Sequence, residues 1–219
     1  MSGDLRAVLD LVVPALRRSA AALWQPAGLR ERYGRYLIQM HAVLRASVPL
    51  MQLAALRCDR PDPVCTRLGE YFPLHIKEEA GHDEWLLDDM ATMGLNRAEL
   101  PSVQVARLTG PQYYWINHVH PVALLGYIAV LEGNSPAPEL PGLLAERTGL
   151  PDRAFHTLRH HATADPGHSE EVLALLAELD LSAEQRRAVR VSALHTAGAL
   201  IDLFDALARP ERTCCDDRG

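Results

Sequence analysis

The chain has 219 residues, 48% hydrophobic and 23% charged, enough to bury the core of one domain. Its formal net charge of −6 argues against a nucleic-acid partner. Arg6, Asp10, Arg17 and Arg18 interrupt the start of the chain, so no secretory leader is expected there, and no uninterrupted apolar run is long enough to span a bilayer. Cys58, Cys65, Cys214 and Cys215 fall in loop or tail positions without a zinc-site companion set. The expectation is a reduced, cytoplasmic protein with neither membrane nor nucleic acid as partner.

Apolar residues at helical spacing predict a first helix over 5–23 despite Pro14, closed by Gln25-Pro26-Ala27-Gly28. A long second helix spans 29–56, bent at Pro49, and Arg60-Pro61-Asp62-Pro63 makes a loop. The third helical region runs from Val64 to Met93 and is capped by Gly94. Residues 96–111 read as a connector, followed by a fourth helix over 112–132, kinked or restarted at Pro121. Shorter helices are expected over 140–148, 152–164 and 169–179, with a kink at Pro166-Gly167 between the last two. A final helix over 182–207 opens on a capping Ser182. No strand-like alternation of useful length interrupts this pattern. The expectation is an all-α fold of seven or eight helices in one domain over 1–209, with a polar tail over 210–219.

Three stretches carry chemistry. Read as one helix across the junction of the sixth and seventh predicted helices, His161, Asp165 and His168 stand at i, i+4 and i+7, within roughly 60° of one another around the axis. Such a stripe normally carries Leu or Ile; a polar solvated face would explain one such triplet equally well. Glu79 and His82 form a Glu-x-x-His pair, the spacing that aims a carboxylate and an imidazole at one metal site. His75 and Glu78 lie on overlapping faces and read as supporting or surface residues. Glu132 ends the uncharged run Val122 to Leu131, a helix apolar all round and therefore buried. A buried carboxylate must be protonated, paired or metal-bound, unless Glu132 reaches water past Gly133. Taken together, Glu79, His82, Glu132, His161, Asp165 and His168 offer three carboxylates and three imidazoles. Oxygen and nitrogen donors without thiolate suit iron or manganese.

The order Glu79-x-x-His82, then Glu132, then His161-x-x-x-Asp165-x-x-His168 resembles the haem-oxygenase-like non-haem diiron oxidases and oxygenases, over about Tyr36 to Leu207. The resemblance implies the helical fold shared with haem oxygenase, TenA and PqqC. It implies two iron ions held by those six residues, with manganese as the other metal the site could take, and O2 as co-substrate. The implied reaction is N-oxygenation, desaturation or carbon–carbon cleavage of an amine, amino acid or fatty acid. A small-molecule substrate and an electron donor would be its partners, and a homodimer is compatible with it. Some members place Glu seven residues before the histidine; that position here is His75, so the first-helix carboxylate is Glu79 or Glu78. The resemblance also implies labile iron near Pro166-Gly167. His118 and His120 read as helix-end or distal residues, His160 points away from the cluster, and Tyr113, Tyr114 and Trp115 are packing or entrance residues.

Two other classes share parts of this pattern. One is a haem oxygenase or a TenA/PqqC-like enzyme without cofactor; a haem protein needs one proximal histidine and would leave the other five proposed ligands unexplained. A ferritin-like iron-binding or scaffold protein usually repeats Glu-x-x-His on a second helix, and this chain has no second such pair.

Overall fold

The computed structural model describes residues 2–95 and 100–210. The expected polar tail and the Cys214-Cys215 pair lie outside the described residues. Among these, nine α-helices follow one another: α1 (Ser2–Leu23), α2 (Leu29–Arg57), α3 (Pro63–Glu79), α4 (His82–Ala91), α5 (Val103–His118), α6 (Leu124–Glu132), α7 (Leu140–Thr148), α8 (His156–Glu178) and α9 (Ala183–Ala208). Single 3-10 turns at Pro121–Ala123 and Asp152–Phe155 lead into α6 and α8.

Local chemistry sets most boundaries. Asp62 accepts the Val64 amide at 2.9 Å and Pro63 supplies the first residue of α3. Ser182 and Gln185 form a reciprocal capping box at the start of α9. The Arg32 guanidinium donates to the carbonyls of Leu23, Gln25 and Ala27, closing the end of α1 with a buried charge. Buried Asp89 accepts the amides of His156 and Thr157, which seats the start of α8 on α4.

Four sequence expectations change. The region 64–93 is two helices, because Ala80 is extended and Gly81 adopts φ 91°. The connector is shorter, since α5 begins at Val103 and runs through Pro111. The segments expected as 152–164 and 169–179 belong to one helix: α8 continues through Pro166-Gly167 without a break. A proline inside a helix removes one hydrogen bond and crowds the preceding turn. Here buried Ala162 and Asp165 before it, and Val172, Leu175 and Leu176 after it, hold both halves against the fold. Finally, α9 is long and apolar enough to cross a membrane by length and composition, with half of its most apolar window buried in the fold. Packing against α1, α5 and α6 accounts for that hydropathy.

Helix α6 is buried from Leu124 to Val130, as an all-apolar helix should be. Its approach to α9 depends on Gly126. A Cβ there would lie 2.2 Å from the Val189 carbonyl oxygen and 2.9 Å from the Ala193 nitrogen. Backbone on both sides cannot yield, so Gly126→Ala should cost about 1–3 kcal/mol or somewhat more. In a chain of this length, that lowers the melting temperature by about 3–10 °C. An unchanged thermal melt would show that α6 and α9 can separate freely.

Candidate metal centre

The ends of α3 and α6, the start of α4 and the middle of α8 meet around one cluster. His75, Glu78 and Glu79 come from the last turns of α3, His82 opens α4, Glu132 closes α6, and His161, Asp165 and His168 lie along α8. Glu79 and His82 do not share a helix as their spacing predicts. The Ala80–Gly81 turn reorients the chain between them, and they face each other across it, His82 Nδ1 to Glu79 Oε2 at 3.4 Å.

The structure gathers all six expected residues and adds a seventh. His75 is buried, with Nε2 2.8 Å from Glu132 Oε1, and its donor atom lies within 4.8 Å of those of Glu79 and Glu132. It was expected as a supporting or surface residue, and it is not at the surface. The His75 and His168 rings lie 5.3 Å apart between centroids, and His82 and His161 are 5.1 Å apart. His161 Nδ1 pairs with Asp165 Oδ1 at 2.7 Å.

The choice between the two neighbouring glutamates follows from burial. Glu79 is 10% exposed and joins the His75–Glu132 group, whereas Glu78 is 46% exposed. Glu78 stands behind the imidazoles instead, 3.4 Å from His75 Nδ1 and 3.8 Å from His168 Nε2. A carboxylate behind an imidazole is the arrangement that fixes the tautomer and orientation of a metal-binding histidine.

Five atoms in this cluster are buried without a hydrogen-bond partner: His75 Nδ1, His82 Nδ1, Glu132 Oε2, His161 Nε2 and His168 Nδ1. Buried polar atoms are nearly always paired, because an unpaired one costs about 1–3 kcal/mol. His75 Nδ1 faces Glu78, and the other four, lone-pair donors or convertible to such, fit a site for cations. The donor set of imidazoles and carboxylates fits iron.

The electrostatics agree. Burial pushes the Glu132 carboxyl up, against the opposing pull of His75. Burial alone would lower the His75 imidazole, but the hydrogen bond and charge of Glu132, with Glu79 and Glu78 nearby, raise it overall. His161 behaves likewise: burial works against protonation, and Asp165, Glu79 and Glu132 outweigh it. Burial would raise Glu79, yet His82, His161 and His75 hold it below its ordinary range. Protons thus hold together what divalent cations would hold otherwise.

His160, expected to point away from the cluster, lies at its edge instead, and His120 lies elsewhere. His160 packs beside His82, with ring centroids 4.9 Å apart, and both rest on Trp85. His120 accepts the Val122 amide at Nδ1, 3.1 Å, which leaves Nε2 protonated toward Asp62 Oδ2 at 2.8 Å. Although Asp62, Cys65 and His120 lie close enough to share an ion, Nε2 has no free lone pair in this state. With Gln185 donating to Asp62, the group ties the start of α3 to the start of α9.

A cavity of about 130 Å³ opens beside the cluster, lined by His75, Glu79, Glu132, His161 and Asp165 on one side and mainly by aliphatic side chains elsewhere. Tyr113, Tyr114 and Trp115 are not on its wall; Tyr113 and Tyr114 are exposed instead.

A family model described as an iron-containing redox enzyme matches residues 34–201. A domain of unknown function with a haem-oxygenase-like fold from Shewanella denitrificans has a TM-score of 0.75 at 19% identity, over 92% of this chain and 89% of that one. A TenA homologue from Pseudomonas syringae has a TM-score of 0.71 at 12% identity, over 93% and 91%. A TenA homologue from Pyrococcus furiosus has a TM-score of 0.68 at 14% identity, over 95% and 100%. No curated protein matches by sequence. The structural likenesses show the haem-oxygenase-like fold, and the family model spans most of the chain: the protein belongs to the iron-containing redox enzyme family.

Proposed function

We propose that this protein is an O2-dependent, non-haem diiron oxidoreductase acting on a small organic substrate. The supporting observation is the gathering of imidazoles and carboxylates from four helices beside a cavity, with His75, Glu79 and Glu132 close enough to share an ion. His75, Glu79, His82, Glu132, His161, Asp165 and His168 would hold the ions, the six expected residues joined by His75. Bound iron would supply O2 activation and the oxidising power for attack on the substrate.

The chain's own residues prepare that chemistry. Glu78 orients His75 and His168 from behind. Asp165 fixes the His161 ring through Nδ1, which directs Nε2 toward the cluster. Aliphatic side chains from α2, α6 and α9 make much of the cavity wall apolar, which strengthens polar interactions beside it. Tyr127, buried on the cavity wall, has an unpaired hydroxyl and a pKa pushed well above its ordinary value by burial. It remains a neutral hydroxyl over the working pH range, able to donate a hydrogen bond to substrate.

A haem-binding alternative fits poorly, since a macrocycle is far larger than the cavity and would leave most of the unpaired donors unsatisfied. Anaerobic titration with iron(II) should load two ions per chain, and the loaded protein should consume O2 faster than buffer with the same iron. His161→Ala should lose at least one ion, while His160→Ala should keep both. Saturation of the unaltered protein at a single ion would remove the diiron reading.

A further inference from the structure

Independently of any metal, we infer that the outer face of α9 is the contact of a twofold homodimer. The helices of two copies pair antiparallel, with Arg187 of one copy facing Asp202 of the other.

The face is a single stripe. Between Arg186 and Leu203 the exposed residues are Arg187, Val191, Leu194, Gly198 and Asp202, and all others are half-buried or buried against the fold. At about 100° per residue these five lie within about 80° of one another around the helix axis. Val191 is 38% exposed and Leu194 46%. Apolar positions three and four residues apart, flanked by charges, are the pattern of a seam between two helices. The opposite side of α9 supplies Leu200 and Phe204 to the cavity, so a partner helix would back that wall from outside.

The occupant follows from the order of the stripe, which is complementary to itself. A twofold contact uses the same patch on both copies, so residue i meets j and j meets i. An axis crossing α9 between Leu194 and His195 sets Arg187 against Asp202 and Val191 against Gly198, because the members of each pair stand equally far on either side of it. The two Leu194 side chains then meet beside the axis. His195 is held to the flank, its Nε2 2.9 Å from the Arg107 carbonyl oxygen. Parallel pairing would instead set arginine on arginine and aspartate on aspartate. Gly198 fits the same register. A glycine inside a helix costs stability relative to alanine. A Cβ at Gly198 would meet nothing within 4 Å, so its own fold does not call for a glycine there. Facing Val191 of the other copy, it becomes the hollow that receives that side chain.

The test is sedimentation of the full chain, with thermal melts on the same samples. A contact built on one helix pair is at the small end of specific interfaces, so the dissociation constant should be on the order of 10 μM and the mass should rise over about 1–200 μM. The limits are one chain of 24.2 kDa and two. Arg187→Glu and Asp202→Arg each set like charges together at both ends of the stripe and should weaken the dimer by about tenfold or more. An equimolar mixture of these two variants should regain it, because every changed charge then meets an opposite one. Gly198→Leu should also weaken the dimer by about tenfold or more, by filling the hollow, without lowering the melting temperature. A chain that stays single up to the highest concentration would overturn the inference. A dimer indifferent to the charge changes, or a mixture no tighter than either variant alone, would overturn the antiparallel register and place the contact elsewhere.

Discussion

Iron(II) added under anaerobic conditions should raise the melting temperature by about 10–20 °C. A site filled at a hundred times its dissociation constant stabilises the native state by about 2.7 kcal/mol, and two such sites give about twice that. In a chain of this size each kcal/mol moves the melting point by about 2–4 °C. The increment should also grow with pH. The imidazoles of His75 and His161 have folded pKa values raised above the ordinary 6.5. Their protonation therefore stabilises the metal-free fold below 6.5, and that contribution fades as pH rises through the folded values. Glu132, raised by burial, fades in the same direction, from its ordinary 4.5 upward. Glu79 is held low by its histidines, so its contribution is present above 4.5 and is lost only as pH falls through its folded value. Metal binding needs these imidazoles deprotonated, so protons compete with it. Melting curves of metal-free and iron-loaded protein should diverge between about pH 6 and pH 8. A shift of only a few degrees, or one that shrinks over that range, would show that the cluster is stabilised by its own ion pairs and not by metal.

Glu132→Gln should separate stability from metal binding. In the metal-free protein at about pH 8, ionised Glu132 is a carboxylate that burial disfavours. Glutamine keeps an oxygen that can accept from His75 Nε2, where Glu132 Oε1 now stands at 2.8 Å, and it removes the charge. The metal-free variant should therefore melt at or above the unaltered protein at that pH. Near pH 6 the order should reverse, because protonated His75 loses its anionic partner. The stabilisation by iron(II) should fall by about half, the share of one site, or about 5–10 °C. A metal-free variant clearly destabilised at pH 8, with the iron increment intact, would make Glu132 a structural acceptor for His75 and leave the second ion without its carboxylate.

The elements most legible in the sequence are those whose causes are local. The cap at Ser182, the turn around Pro61–Pro63 and the all-apolar run into Glu132 each depend on residues a few positions apart. The same holds for the His161, Asp165 and His168 stripe, since helical periodicity alone puts the three on one face. Tertiary structure decided the rest. Whether Pro111 and Pro166 end their helices depends on what packs against both sides, and in α5 and α8 buried residues flank them. The break at Ala80–Gly81 could have been suspected from a glycine inside a predicted helix, but the sequence reads equally well as one long helix.

His75 is the clearest case. Its spacing from His82 sets it among several histidines and acids on α3, and nothing local separates a buried one from an exposed one. Its role depends on Glu132, which arrives from α6 nearly sixty residues later and meets its Nε2. Periodicity tells which residues of a helix share a face. Which face meets which helix is set by long-range packing, here by Gly126 letting α6 close onto α9 and by Asp89 seating α8 on α4. Six of the seven candidate donors could therefore be read from the sequence, while His75, the helix junctions that bring them together and the cavity beside them are decided only once the helices pack.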